Sequence, residues 1–164
     1  MSTASAIDVF KEAFFSGLEP APIMTVSEWA DNYRMLPQKT SAEPGQWRTS
    51  RTPYLQQIMD ELSHMSKTKE VVFMKGAQIG GTEAGNNFLG YIVDYMPATA
   101  MVVWPALPDV KKNSKLRIDP LFENTPKLRD KVNTGNSKDK NNTALFKGFD
   151  GGALILTGAN SASG

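Results

Sequence analysis

Residues 70–88 read EVVFMKGAQIGGTEAGNNF, and the fold turns on what this stretch is. Residues 71–74 form an apolar run after a charged boundary, of the sort found in a short strand buried on both faces. Lys75 leads into a glycine-rich bend that Thr82 closes. Over residues 84–95, Phe88, Leu89, Ile92 and Tyr95 then recur at helical spacing. Residues 99–104, TAMVVW, repeat the apolar-run type. Strand, loop, helix, strand is a βαβ unit, which predicts a parallel sheet with a right-handed crossover.

A loop that leaves a strand and enters a helix can aim several backbone N–H groups, and the positive end of the helix dipole, at one anion. Glycines let such a backbone curl close to the anion without a Cβ in the way. The usual phosphate loop has the spacing G-x-x-x-x-G-K-[ST]. Residues 76–82, GAQIGGT, place a glycine and the threonine as required but put Gly81 where lysine belongs. Lys75, one residue before the loop, has a stem long enough to fold over the cradle from the opposite side. Gly76, Gly80, Gly81 and Gly85 equally suit a tight turn with close helix packing, and spacing alone leaves both readings open.

The 164-residue chain has the length of one domain and can bury a core. With 40% hydrophobic and 21% charged residues it has an ordinary globular composition. No apolar run is long enough to span a membrane, and the N-terminus lacks the pattern of a secretory leader, so an intracellular protein is expected. Zero cysteines exclude disulfides, thiolate metal sites and cysteine nucleophiles. A single histidine, His64, argues against a histidine metal cluster or a Ser-His-Asp triad; it reads as a solvated imidazole at a helix end. Net charge is +1, but ten of the 18 Lys/Arg and only four of the 17 Asp/Glu fall within residues 111–147. The positive side of that asymmetry could face a polyanion.

Around the glycine loop the expected elements are mostly helical. Ile7, Phe10, Phe14 and Leu18 predict an amphipathic N-terminal helix. Thr25 and Glu28 stand at capping-box spacing ahead of Trp29 and Tyr33, which predicts a second. Residues 36–51 read as a long ordered loop. Thr52 and Pro53 suit the cap and first position of a third helix, with Tyr54, Ile58, Leu62 and Met65 on its inner face. A lysine-rich helical segment is expected over residues 109–118. The turn Asp150-Gly151-Gly152 between TALFKGF and ALILT predicts a hairpin. Residues 133–142 read as a loop, and GANSASG at the C-terminus as a frayed tail.

Residues 25–47, 52–62, 71–87, 104–128 and 149–164 together resemble the N-terminal ATPase part of phage terminase large subunits of the lambda-type GpA family. In that family a lysine at the beginning of the phosphate loop serves in place of the standard one, which matches Lys75. The resemblance implies a P-loop NTPase-like α/β fold, a parallel sheet with flanking helices that is incomplete at the C-terminus. It implies N-terminal helices and an adenine-side loop over residues 1–52, and a partial ATPase core over 53–164. Lys75 would contact the β/γ-phosphates as the catalytic cation. Gly76, Ala77, Gln78, Ile79, Gly80 and Gly81 would supply the cradle, and Thr82 would hold Mg²⁺. An aromatic expected near Glu43 is absent, so either Trp47 or Tyr54 could stack on adenine, or each could be a packing residue.

The implied activity is ATP-driven packaging of double-stranded DNA into procapsids, in the cytoplasm of the infected or lysogenic host. The implied partners are the terminase small subunit, the portal of the procapsid and further copies of the chain; no membrane is implied. Lys111, Lys112, Lys115 and Arg117 would contact DNA phosphates or form a solvated helix face. The family's paired acidic residues at the end of a strand, which support Mg²⁺ and activate water, find no match in the sequence. A fragment is therefore expected, binding ATP weakly with little hydrolysis. Two other readings stand beside it: a non-enzymatic module binding DNA or a terminase subunit, and a helicase-type ATPase.

Overall fold

The computed structural model describes residues 6–18, 22–132 and 143–160. The predicted loop at 133–142 and the last four residues lie outside them. Helix α1 (Ala6–Leu18) has the expected extent, yet its large apolar side chains Ile7, Phe10, Phe14, Phe15 and Leu18 are all more than half exposed. Helix α2 (Val26–Tyr33) starts at a complete capping box: the Thr25 hydroxyl accepts from the Glu28 N–H, and the Glu28 carboxylate accepts from the Thr25 N–H. Its C-terminus leads into β1 (Met35–Leu36), paired antiparallel with β2 (Gly45–Gln46), so the predicted long loop contains a small sheet.

The third predicted helix is shorter, and its expected inner face is met only in part: Ile58 and Leu62 pack against the core, whereas the two ends of that face do not. Residues 49–51 and 53–55 are 3₁₀ turns, and α3 spans only Gln56–Asp60. Thr52 makes no side-chain cap. Leu55 and Met59 are buried, whereas Tyr54 and Met65 are exposed. A 3₁₀ turn advances about 120° per residue rather than 100°, so the face inferred from 3.6-residue spacing is displaced by one position.

The expected strand at residues 71–74 does not form. These residues have no strand beside them among the described residues, and Val72 and Met74 are 83% and 96% exposed. An apolar run becomes a strand only where a neighbour accepts its backbone hydrogen bonds. The helix after it does form, as α4 (Gly81–Asp94), followed by β3 (Ala100–Trp104). Helix α5 (Leu107–Asn113) continues through a π-helical turn, Ser114–Ile118, into α6 (Asp119–Asn124) and α7 (Pro126–Arg129).

The predicted hairpin is β4 (Phe146–Phe149) against β5 (Gly152–Gly158), with Phe149 opposite Gly152 and Gly151 at φ +87° in the turn. Strand β5 also pairs with β3, in parallel, from Ala100 opposite Leu154 to Trp104 opposite Gly158. The sheet order is β3-β5-β4. The parallel pair is thus β3 with β5, not 71–74 with β3. Strand β3 is an edge whose Met101 and Val103 face outward, rather than a strand covered on both sides.

One core runs beneath these elements. Trp29, fully buried, packs on Gly90 of α4 so closely that a Cβ there would stand 2.3 Å from the indole. The indole N–H donates to Asp94 at 2.8 Å, and Lys131 closes on the same carboxylate at 2.8 Å. Leu89, Val93, Leu121, Phe122 and Leu128 extend the core, and Leu154 and Leu156 bring β5 into it. Helix α4 is thereby anchored in the core, which sets where its N-terminus lies.

Candidate functional site

The glycine loop is the entrance to α4. Gln78 lies at φ +58°, the left-handed region that a side chain adopts at a cost, and Gly80, the N-cap of α4, lies at φ +82°. Gly76, Ala77, Gln78 and Thr82 are exposed, so the loop backbone and the threonine hydroxyl face open space. The first-turn N–H groups of α4 lack intrahelical partners by construction of any helix.

Lys75 folds back along this loop. A Cβ on Gly81 would meet Lys75 Cδ at 2.6 Å and Cε at 2.9 Å, with Phe73 Cε1 at 3.2 Å. The lysine stem therefore fills the space above Gly81, where a standard phosphate loop carries its own lysine. Its Nζ lies 3.5 Å from the Gly76 carbonyl.

Beside the loop is a cavity of about 500 Å³ whose walls include Gln78, Ile79 and Gly80 on one side and Trp47, Arg48 and Tyr54 on the other. Tyr54 is exposed to it, and its hydroxyl donates to the Ile79 carbonyl at 3.2 Å. Trp47 also lines the cavity but is buried, with its N–H donating to the Thr49 hydroxyl at 3.0 Å. Arg51 and Glu43 pair at 2.9 Å on the rim. A larger cavity, about 770 Å³, lies between residues 35–45 and 115–124 and touches no part of the glycine loop.

The residues that sequence reasoning missed are Arg34 and Glu83. Glu83, next to Thr82, receives Arg34 Nη2 at 3.1 Å, Arg117 Nη1 at 3.4 Å and Asn86 Nδ2 at 3.1 Å. Arg34 is 1% exposed, and it also donates to the Met35 carbonyl. Burial pulls the Arg34 guanidinium below its ordinary value, and the adjoining Glu83 carboxylate works against that by favouring the charged form. No sequence spacing reveals this cluster, because its members come from three separate elements.

The four basic residues expected to act together separate into two groups. Lys111, Lys112 and Lys115 are exposed on α5 and the π turn, while Arg117 turns to Glu83 and lines the cavity. Lys147 is buried against Asp119 at 2.7 Å. His64 lies exposed at the end of the α3 region, as expected, and its imidazole also contacts the Tyr91 hydroxyl at 2.6 Å. Among the described residues, no group of three or more His, Asp or Glu could hold a metal, and no helix is long and apolar enough to cross a membrane.

These elements define a mixed α/β domain with an exposed glycine loop at the start of its central helix. The chain belongs to the family described as phage terminase large subunit gpA, ATPase domain, whose sequence model matches residues 41–164. It is also similar to the "Terminase, large subunit" of Enterobacteria phage P21, at 24% identity over 149 residues. That alignment covers 91% of this chain but 23% of the relative, so the chain spans about a quarter of that protein's length. No solved structure matches.

Proposed function

We propose that this chain forms the nucleotide-binding part of a terminase large subunit, a P-loop type of domain in which bound ATP powers the packaging of double-stranded DNA into procapsids. The observation that carries this reading is the Lys75 stem lying over Gly81 at the mouth of the loop. The cation a phosphate loop needs is supplied from the preceding residue, and glycine at 81 leaves it room. In this assignment residues 76–81 donate backbone N–H groups to the phosphates, and the Lys75 ammonium neutralises their charge. Tyr54, open to the cavity, is better placed than buried Trp47 to stack on adenine.

The residues present suit Mg²⁺ only in company with nucleotide. Thr82 is exposed, and among the described residues no cluster of three or more potential ligating side chains stands ready to complete a protein-only site. Mg²⁺ keeps several waters and usually takes one or two protein ligands plus substrate phosphates, which is the set available here. The ion, when bound, would neutralise the β/γ charge. None of the strands β3, β4 or β5 ends on a carboxylate; Asp150 lies in the hairpin turn. Binding with little hydrolysis is the expected behaviour of these residues alone.

Residues 1–52 would serve as the adenine-side layer and residues 53–164 as the core. Partners would be double-stranded DNA, a terminase small subunit, the procapsid portal and further copies of the chain. Calorimetric titration with ATP and Mg²⁺, on the parent and on Lys75→Ala and Thr82→Ala, tests the reading. Binding that both variants lose supports it; binding unaffected by Lys75→Ala overturns the lysine assignment.

A second reading, a binding module without turnover, draws on exposed Lys111, Lys112 and Lys115. DNA affinity that needs no nucleotide and falls steeply with salt would favour it.

A further inference from the structure

We propose that Arg117 is a second cationic contact to the nucleotide phosphates, held beside the pocket by Glu83 until an anion takes it. This rests on the reading of residues 75–82 as the ATP loop. Arg117 comes from the π-helical turn Ser114–Ile118, a widened turn that buries Ser114 and Ile118 and presents Lys115, Leu116 and Arg117 outward. Such turns are uncommon and frequently accompany functional sites. Among the three exposed side chains of this turn, Arg117 alone lines the cavity that contains Gln78, Ile79 and Gly80.

Glu83 holds its two arginines unequally. Arg34 is buried, with 2% of its side chain exposed, and sits at 3.1 Å; Arg117 is 46% exposed and sits at 3.4 Å. A half-exposed ion pair of that kind contributes little to stability and exchanges readily. If Arg117 leaves, Glu83 keeps Arg34 and the Asn86 amide, so no buried carboxylate is stranded. The arginine can therefore transfer to a phosphate oxygen at small cost, gaining the two-pronged geometry that guanidinium offers to phosphate.

The charge around the cavity favours an anionic occupant. Arg48, Arg51 and Arg117 line it against Glu43 and Glu83, an excess of one positive charge, and Arg34 behind Glu83 raises the excess to two. Lys75 approaches the loop from its N-terminal side, and Arg117 approaches from the helical segment after β3. A polyphosphate on the loop would thus be held by cations from two elements.

The test is calorimetric binding of Mg-ATP, ADP and adenosine to the 164-residue chain, comparing the parent with Arg117→Ala, Arg117→Lys and Lys75→Ala, with the thermal midpoint of each. The expected result is a ten-fold or greater loss of ATP affinity in Arg117→Ala, partial recovery in Arg117→Lys, and adenosine affinity and midpoint unchanged. ATP affinity equal to the parent's in Arg117→Ala, alongside a loss in Lys75→Ala, overturns the inference and leaves the loop reading standing. A fall of all three ligands together with a lowered midpoint assigns Arg117 a structural role and also overturns it. A parent chain that binds none of the three removes both the inference and the reading beneath it.

Discussion

Replacing Gly81 with alanine separates the lysine from the loop without touching the lysine itself. The new methyl would lie 2.6 Å from Lys75 Cδ and 2.9 Å from Cε, whereas unstrained carbon atoms sit about 3.5–4.0 Å apart. The stem must therefore move by about 1 Å or more. Lys75 is exposed and flexible, so moving it leaves stability within about 0.5 kcal/mol of the parent, with the better helix propensity of alanine partly offsetting the crowding. Phosphate contact is another matter: a charge-assisted hydrogen bond is worth about 1.5–3 kcal/mol, or roughly 10- to 150-fold in affinity. Titration calorimetry with Mg-ATP should show a loss of that order in Gly81→Ala, while urea unfolding is nearly unchanged. Because both substitutions remove one interaction, the double variant with Lys75→Ala should bind no worse than Lys75→Ala alone. ATP affinity equal to the parent's in Gly81→Ala, or losses that add in the double variant, would refute the reasoning.

Gly90→Ala drives a methyl to 2.3 Å from the Trp29 ring and disturbs the indole bond to Asp94, so urea unfolding should show about 2–4 kcal/mol of lost stability. Glu83→Ala leaves buried Arg34 without its carboxylate, and a destabilisation of about 3 kcal/mol is expected by the same assay; a change under about 1 kcal/mol would contradict the pairing of Glu83 with Arg34 as a stabilising contact. Desolvation pushes the Tyr91 phenol up, so above the ordinary phenol range the unfolded chain releases a proton that the folded chain keeps, and stability should fall as pH rises. Tyr91→Phe should make that alkaline fall in unfolding midpoint shallower. If the exposed lysines 111, 112 and 115 contact DNA, replacing all three with alanine should reduce the slope of log affinity against log salt by about 2.7, measured by fluorescence anisotropy.

What was legible in the sequence was local. The capping box at Thr25 and Glu28 and the Asp-Gly hairpin are complete within a few residues, and both formed as read. The mixed α/β class followed from the helical spacing of α4, the apolar run that became β3 and the hairpin, although the strand-helix-strand unit expected from 71–74 did not form. The gap at Gly81 beside a displaced Lys75 anticipated where the lysine stem would go. What was not legible depends on distant partners. Residues 71–74 have the composition of a strand, yet a strand exists only with a neighbour to bond to. The inner face of the α3 region shifted because two 3₁₀ turns precede it. Arg34, Glu83 and Arg117 stand 49 and 34 residues apart and meet only after folding.

The bare backbone of residues 71–74 has a consequence for how motion is distributed around the loop. Its amides, in no strand ladder and with Val72 and Met74 exposed, should exchange with solvent deuterium faster than those of α4, which is packed on Trp29 and the core. Residues 75–80 are the seam between these two regimes. Slowed deuterium uptake confined to this seam would place a ligand there, and uptake slowed back through residue 71 would show the preceding segment being ordered along with it.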